Sequence, residues 1–178
     1  MGSFDQIQSQ VKETVLRLPL ILGNAAVNWV KDSFTQQGWR GATFQKWKEA
    51  KSEKRKGAAL LIKSGRLRRS IRILKYDQLS VQIGTDVPYA EAHNKGFEGT
   101  VNVQSHNRNR FGKAKASSLK TKRRKTITYL SSTGEVKSHN RNMNLPRRQV
   151  SPETMSDSPI FNKDMETVIL NALSPLFK

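Results

Sequence analysis

The chain has three histidines, and two of them share one local sequence. His106 and His139 both occur as Ser-His-Asn inside a near-repeat, Val103-Gln104-Ser105-His106-Asn107-Arg108-Asn109 and Val136-Lys137-Ser138-His139-Asn140-Arg141-Asn142, set 33 residues apart. Imidazoles beside amides would suit a metal-dependent nuclease. Such chemistry needs convergent carboxylates or several imidazoles to hold the ion. The stretch around the repeat offers only Glu98 and Glu135, and the chain has no cysteine. Thiolate catalysis, disulfides and cysteine-based zinc sites are thereby removed together. Two equivalent strand positions explain the repeat better than a metal site does. His93 lies near Glu91 and Asp86, the composition of an acid–base group. On the same helical face as Tyr89, however, it reads as a hydrogen-bonded structural residue. No glycine-rich phosphate loop, nucleophile elbow or paired-carboxylate signature is present. The sequence therefore predicts no enzymatic activity, no metal and no cofactor.

Charge is the stronger signal. The net charge is +18 over 178 residues. It is concentrated in two blocks, residues 40–75 and residues 97–148, each with 13 Lys/Arg against 2 acids. A chain so divided is built to meet a polyanion or an acidic protein surface. Between the repeats sits Lys122-Arg123-Arg124-Lys125. The cations expected to meet an anionic partner are Arg108, Arg110, Lys113, Lys115, Lys120, Lys122, Arg123, Arg124, Lys125 and Arg141. Contact between these residues and duplex DNA would be with the phosphate backbone, independent of base sequence. Aromatic residues are too sparse there, only Phe97, Phe111 and Tyr129, for a base-stacking platform.

The elements that must carry these residues follow from periodicity. Phe4, Ile7, Val11, Val15 and Leu18 form one apolar stripe of a helix over residues 4–37. Leu22, Ala26, Trp29, Val30 and Phe34 form a second. Pro19 predicts a break or kink between them. Either stripe is a candidate for a subunit contact, with Trp29 and Phe34 as the leading interface residues. Residues 40–63 read as a polar connection holding Phe44 and Trp47. Ser64 reads as an N-cap that places Leu67 and Ile71 on one face of a helical turn. Ile71, Ile73, Val81 and Ile83 alternate as in half-buried strands joined at Asp77-Gln78. Pro88 opens a short helix that Gly96 closes. Residues 98–144 read as a long basic β-arm, with Ser131-Ser132-Thr133-Gly134 as a turn. Ser158-Pro159 opens a last helix carrying Phe161, Met165, Val168, Ile169 and Leu173, which Pro175 stops. The expected fold is α+β, helices on a small antiparallel sheet. One core domain comprises residues 1–97 and 145–178, and the arm projects from it. No signal peptide is expected. The longest apolar stretch, residues 16–30, is interrupted by Arg17, Pro19, Asn24 and Asn28, so no membrane span is expected either.

Four pieces of the sequence, in order, resemble the phage virion morphogenesis or tail-completion proteins. A tryptophan segment (Trp47) leads to S-G-x-L-x-x-S-I, here Ser64, Gly65, Leu67, Ser70 and Ile71. Two strands then lead to V-x-Y-A-x-x-H-x-x-G, here Val87, Tyr89, Ala90, His93 and Gly96. Leu145-Pro146-Arg147-Arg148-Gln149-Val150 is similar to the family's M/L-P-x-R-x-F segment, with Val150 where an aromatic is usual. The resemblance implies structural roles for Trp47, Ser64, Gly65, Leu67, Tyr89, Ala90, His93, Gly96, Pro146 and Arg147. It also implies a virion protein of the phage neck or tail, assembled in the cytoplasm of a bacterial host. As a tail-completion, tail-terminator or head–tail connector protein it would form a ring of six copies, or of twelve. That ring would surround the DNA path and contact neck, connector or tail-tube proteins. The alternative of another class is a basic RNA-binding protein of ribosomal type, which the size and charge suit but the motif order does not.

Overall fold

A computed structural model of the chain describes residues 2–50, 56–116, 125–154 and 156–177. It is an α+β fold whose strands pair as four two-stranded ribbons. The chain divides into two compact units, residues 1–97 with 145–178, and residues 98–144.

The first unit is built on α1 (Gly2–Gln36). The helix runs through Pro19 without the predicted break. A proline inside a helix costs on the order of 3 kcal/mol. Here Pro19 is itself buried, and two turns downstream the helix buries Ala26, Val27, Trp29, Val30 and Phe34, which offsets that loss. A short hairpin, β1 (Gly38–Arg40) and β2 (Phe44–Lys46), occupies part of the stretch that the sequence suggests is a connection. The helix α2 (Arg66–Ser70) begins at Gly65, in the left-handed region at φ 66°, and not at a serine cap. Ser64 Oγ lies 3.4 Å from the Arg66 amide, at the long limit of a hydrogen bond. Leu67 and Ile71 are both buried, on the predicted common face.

The strands β3 (Arg72–Tyr76) and β4 (Val81–Gly84) form an antiparallel hairpin. Its turn is fixed by Asp77, whose carboxylate accepts from the Leu79 and Ser80 amides at 2.9 and 2.8 Å. These bonds hold the Asp77 carboxyl below its ordinary pKa, the Leu79 amide contributing most. The hairpin packs on α1 at Gly23, where a Cβ would lie 2.6 Å from Val81 Cγ2 and 2.8 Å from Ile73 Cδ1. Pro88 lies in the turn before α3 (Ala90–Lys95), and Gly96 at φ 81° ends that helix. The final helix α4 (Pro159–Leu173) is capped by Ser158, whose Oγ accepts from the Phe161 amide at 3.0 Å. A 3₁₀ turn containing Pro175 follows it.

The core is aromatic. Trp29 meets Trp39 and Phe161 edge-on, with centroids at 5.6 and 5.0 Å, and Phe34 meets Trp47 at 5.9 Å. Such pairs contribute beyond their buried area. Each of two buried indoles also finds an acceptor: Trp29 Nε1 donates to Asp164 at 2.9 Å, Trp47 Nε1 to the Gln149 carbonyl at 3.0 Å.

The second unit is a ribbon. The strands β6 (His106–Ala116) and β7 (Lys125–Val136) pair antiparallel from His106 opposite Val136 to Ala116 opposite Lys125. The other pair is β5 (Phe97–Val103) with β8 (His139–Leu145). Side-chain bonds from Thr100 to Asn142 (2.8 Å) and from Asn102 to Asn140 (3.0 Å) tie it together. Gln104-Ser105 and Lys137-Ser138 interrupt the two sides, and each copy of the near-repeat straddles one interruption. An antiparallel ribbon with one joint asks the same local sequence of both its strands, which accounts for the repeat. Ser131-Ser132-Thr133-Gly134 lies inside β7 and is no turn. The register shift that skips Ser131, between Arg110 opposite Ser132 and Phe111 opposite Leu130, is a β-bulge.

Candidate functional site

Three motif residues distant in sequence, Trp47, His93 and Gly96, meet at the segment 145–150, whereas Ser64 and Ser70 bond within residues 64–85. Asn94, buried at the end of α3, accepts from the Val150 and Ser151 amides at 2.8 and 3.2 Å. Its Nδ2 donates to the Ser151 carbonyl at 3.3 Å and to Glu153 at 3.0 Å. The Arg148 amide donates to the His93 carbonyl at 2.8 Å, and the Arg148 guanidinium grips the Lys48 carbonyl at 3.0 and 3.2 Å. A Cβ on Gly96 would stand 3.1 Å from the Arg147 amide. That close approach, together with the positive φ, requires glycine there. Arg147 Nη2 donates to Gln149 Oε1 at 2.6 Å, while Pro146 is half-buried beside it. Trp47, His93, Gly96 and the Leu145–Val150 segment are thus one structural joint, with Asn94 at its centre. Sequence reasoning passes over Asn94. Its signal is a polar residue four positions after Ala90, on the helical face that must turn inward.

His93 stands edge-on to Tyr89 at 5.9 Å. Its pKa is lowered, by burial first and by the Arg148 charge second, so the ring is neutral at neutral pH. Its Nδ1 is buried with no hydrogen-bond partner among the described residues. The two carboxylates grouped with it by sequence are engaged elsewhere, Glu91 with Lys95 at 2.8 Å and Asp86 with Arg72 at 3.5 Å. In the motif upstream, Ser64 gives its carbonyl to Arg69 at 2.8 Å, and Ser70 Oγ donates to the Leu67 carbonyl at 2.8 Å. His106 and His139 occupy matching places: each Nδ1 lies about 3 Å from the carbonyl two residues back, Gln104 (3.1 Å) and Lys137 (3.0 Å). Among the described residues no three of His, Asp and Glu come together.

The ribbon carries the cations. Arg108, Arg110, Lys113 and Arg141 are exposed, with Arg108 opposite Gly134 and Arg110 opposite Ser132, small residues that leave the guanidiniums clear. Lys115 lies in β6 and Lys125 begins β7. Lys120, Lys122, Arg123 and Arg124 lie outside the described residues.

The subunit contact expected at Trp29 and Phe34 is not available there. Trp29 is 5% and Phe34 1% exposed, both consumed by the core, with Arg40 stacked 4.3 Å over the Trp29 ring. The unpartnered stripe is the upstream one: Phe4, Ile7, Val11 and Val15 are all exposed, Phe4 by 73%. No helix among the described residues is long and apolar enough to cross a membrane.

No curated protein and no solved structure matches the chain. Residues 17–150, a span that holds the motif joint and the whole ribbon, match the phage virion morphogenesis family, and the chain belongs to that family.

Proposed function

We propose that the protein is a structural, non-catalytic component of the phage neck or tail end. In this reading it closes a ring around the DNA path and joins tail to head as a tail-completion, terminator or connector protein. The observation that carries the reading is the extent of the family match, since residues 17–150 include both the buried joint and the basic ribbon. The joint supports a scaffold role: the bonds of Asn94, of Trp47 and of the Arg148 amide and guanidinium hold three chain segments together. The ribbon supplies the contact surface, with eleven Lys/Arg against Glu98 and Glu135 over residues 98–144. A surface so charged gains from an anionic partner, either DNA phosphates or the carboxylates of a neighbouring subunit.

The test is a phage lacking this gene. Electron microscopy of the lysate is expected to show filled heads and finished tails that remain unjoined, or tails of uncontrolled length. Purified protein added to the lysate is expected to restore infectivity. A normal yield of infectious particles without the protein would overturn the reading.

A further inference from the structure

The first unit carries an apolar trough with an acidic rim, unusual in a chain of net charge +18. One hollow of about 620 Å³ is floored by Ile71, Ile83 and Val150. A second of about 610 Å³ is floored by Phe161, Met165 and Ile169. Glu153 and Thr154 line both, so the two adjoin. Glu91 stands on the first hollow, where it is paired with Lys95 at 2.8 Å, and Glu166 on the second, so the two linings together carry three carboxylates against one lysine. Among the described residues Glu153 and Glu166 form no ion pair, and residues 151–178 hold four acids against two lysines. No residue of α4 is fully buried, which leaves its apolar stripe half covered.

The ribbon presents the opposite chemistry. Phe111 and Leu130 are cross-strand partners, 64% and 54% exposed; Lys113 follows two residues on along the same strand face, and Arg110 precedes Phe111 at the bulge. We propose that in the assembled ring the ribbon of one copy docks in the trough of the next. Phe111 and Leu130 fill the apolar floor, and Arg110 and Lys113 meet Glu91, Glu153 and Glu166. This contact deepens the ring reading above and rests on it. Duplex DNA fits these ribbon residues less well, because phosphates give no use to an exposed aromatic–aliphatic pair. The exposed stripe of α1 fits the trough less well, because its first twenty residues hold two acids and two bases and offer no net charge to the rim. Joining two different patches makes the interface heterologous, the kind that closes rings.

The experiment uses the full chain and two double variants, each altering exposed residues. One reverses the rim, Glu91→Lys with Glu166→Lys; the other reverses the ribbon, Arg110→Glu with Lys113→Glu. Light scattering after size exclusion, over a concentration and salt series, reads the oligomer; circular dichroism checks folding. Wild type is expected to associate at low salt, and each variant alone to remain a folded monomer. An equimolar mixture is expected to recover the wild-type mass, because every contact between unlike copies again pairs opposite charges. A wild type that stays monomeric throughout, a variant that assembles as wild type does, or a mixture that stays monomeric would each overturn the proposal. If the contact fails in this way while the gene is still needed to join heads to tails, the ring role stands without it. If infectivity is also independent of the protein, the functional reading falls as well.

Discussion

Replacing Asn94 by alanine tests the joint at its centre. The substitution removes all four side-chain hydrogen bonds to the segment 150–153. The Val150 amide suffers most, because Val150 is buried and its bond to Asn94 Oδ1, at 2.8 Å, has no replacement from water. Stranding one buried donor costs about 1–3 kcal/mol, and the three bonds to better-solvated partners add about 0.5 kcal/mol each at most. The expected loss is therefore about 1–4.5 kcal/mol, which for a chain of this size lowers the melting temperature by roughly 2–18 °C. Thermal melting followed by circular dichroism reads the total. Amide hydrogen exchange at Val150 reads the local effect and is expected to quicken sharply. Asn142→Ala is the control: it removes one exposed bond, to Thr100, and is expected to cost less than about 0.5 kcal/mol. If Asn94→Ala melts as wild type does and the Val150 amide stays protected, the joint is not what holds this segment, and the reasoning fails.

Acid should weaken the fold through His93. Its folded pKa lies below the ordinary 6.5, so stability is full above that value and falls as pH drops from it towards the folded pKa. His93→Gln should flatten the melting curve in that window, and an unchanged pH profile would refute the assignment. Changing Lys122, Arg123, Arg124 and Lys125 together to Gln should leave folding intact and weaken duplex DNA binding. Every phosphate that the variant no longer neutralises should reduce the slope of log affinity against log salt by about 0.9, and an unchanged slope would show a merely solvated cluster. Deleting residues 100–142 and closing the gap with a short glycine linker should leave a cooperatively melting core, because the buried hydrophobic cluster lies wholly within residues 27–87 and 150. Loss of cooperative unfolding would show that the ribbon is part of that core.

Where burial follows from local pattern, the sequence can be read directly. Leu67 and Ile71 share a face four residues apart, the Ile73–Ile83 hairpin shows its alternation, and Ser158-Pro159 announces the start of α4. The misreadings share a cause, which is that tertiary packing overrides a local signal. Pro19 does not interrupt α1: it is itself buried, and the helix goes on to bury Ala26, Val27, Trp29, Val30 and Phe34 downstream of it. Gly65 begins α2 because its left-handed backbone makes the turn that a serine side chain would otherwise cap. The turn-like Ser131–Gly134 is held in β7 by eleven paired positions along the ribbon, and the bulge absorbs the misfit. Trp29 and Phe34 look like interface residues because two apolar stripes are more than a small sheet needs. The surplus lies in the first stripe, since the second is covered by the other tryptophans and α4. The helical spacing from Ala90 turns Asn94 inward but does not say what it binds, because its partners are amides more than fifty residues away.

The ribbon raises a separate energetic question. A two-stranded ribbon standing alone in water is marginal at best. This one is lined with Asn and Thr cross-strand bonds, exposes Phe111, Tyr129 and Leu130, and concentrates like charges. Polar bonds between exposed side chains add little, and the charges repel one another. Two things would stabilise it: cover for the apolar residues, and counter-charge for the cations. An apolar trough rimmed with carboxylates supplies both at once, whereas DNA supplies only the second. The ribbon's stability should consequently depend on assembly. Amides of β6 and β7 in the monomeric rim variant should exchange faster than in the wild-type oligomer, while those of α1 from Ala26 to Phe34 should not change.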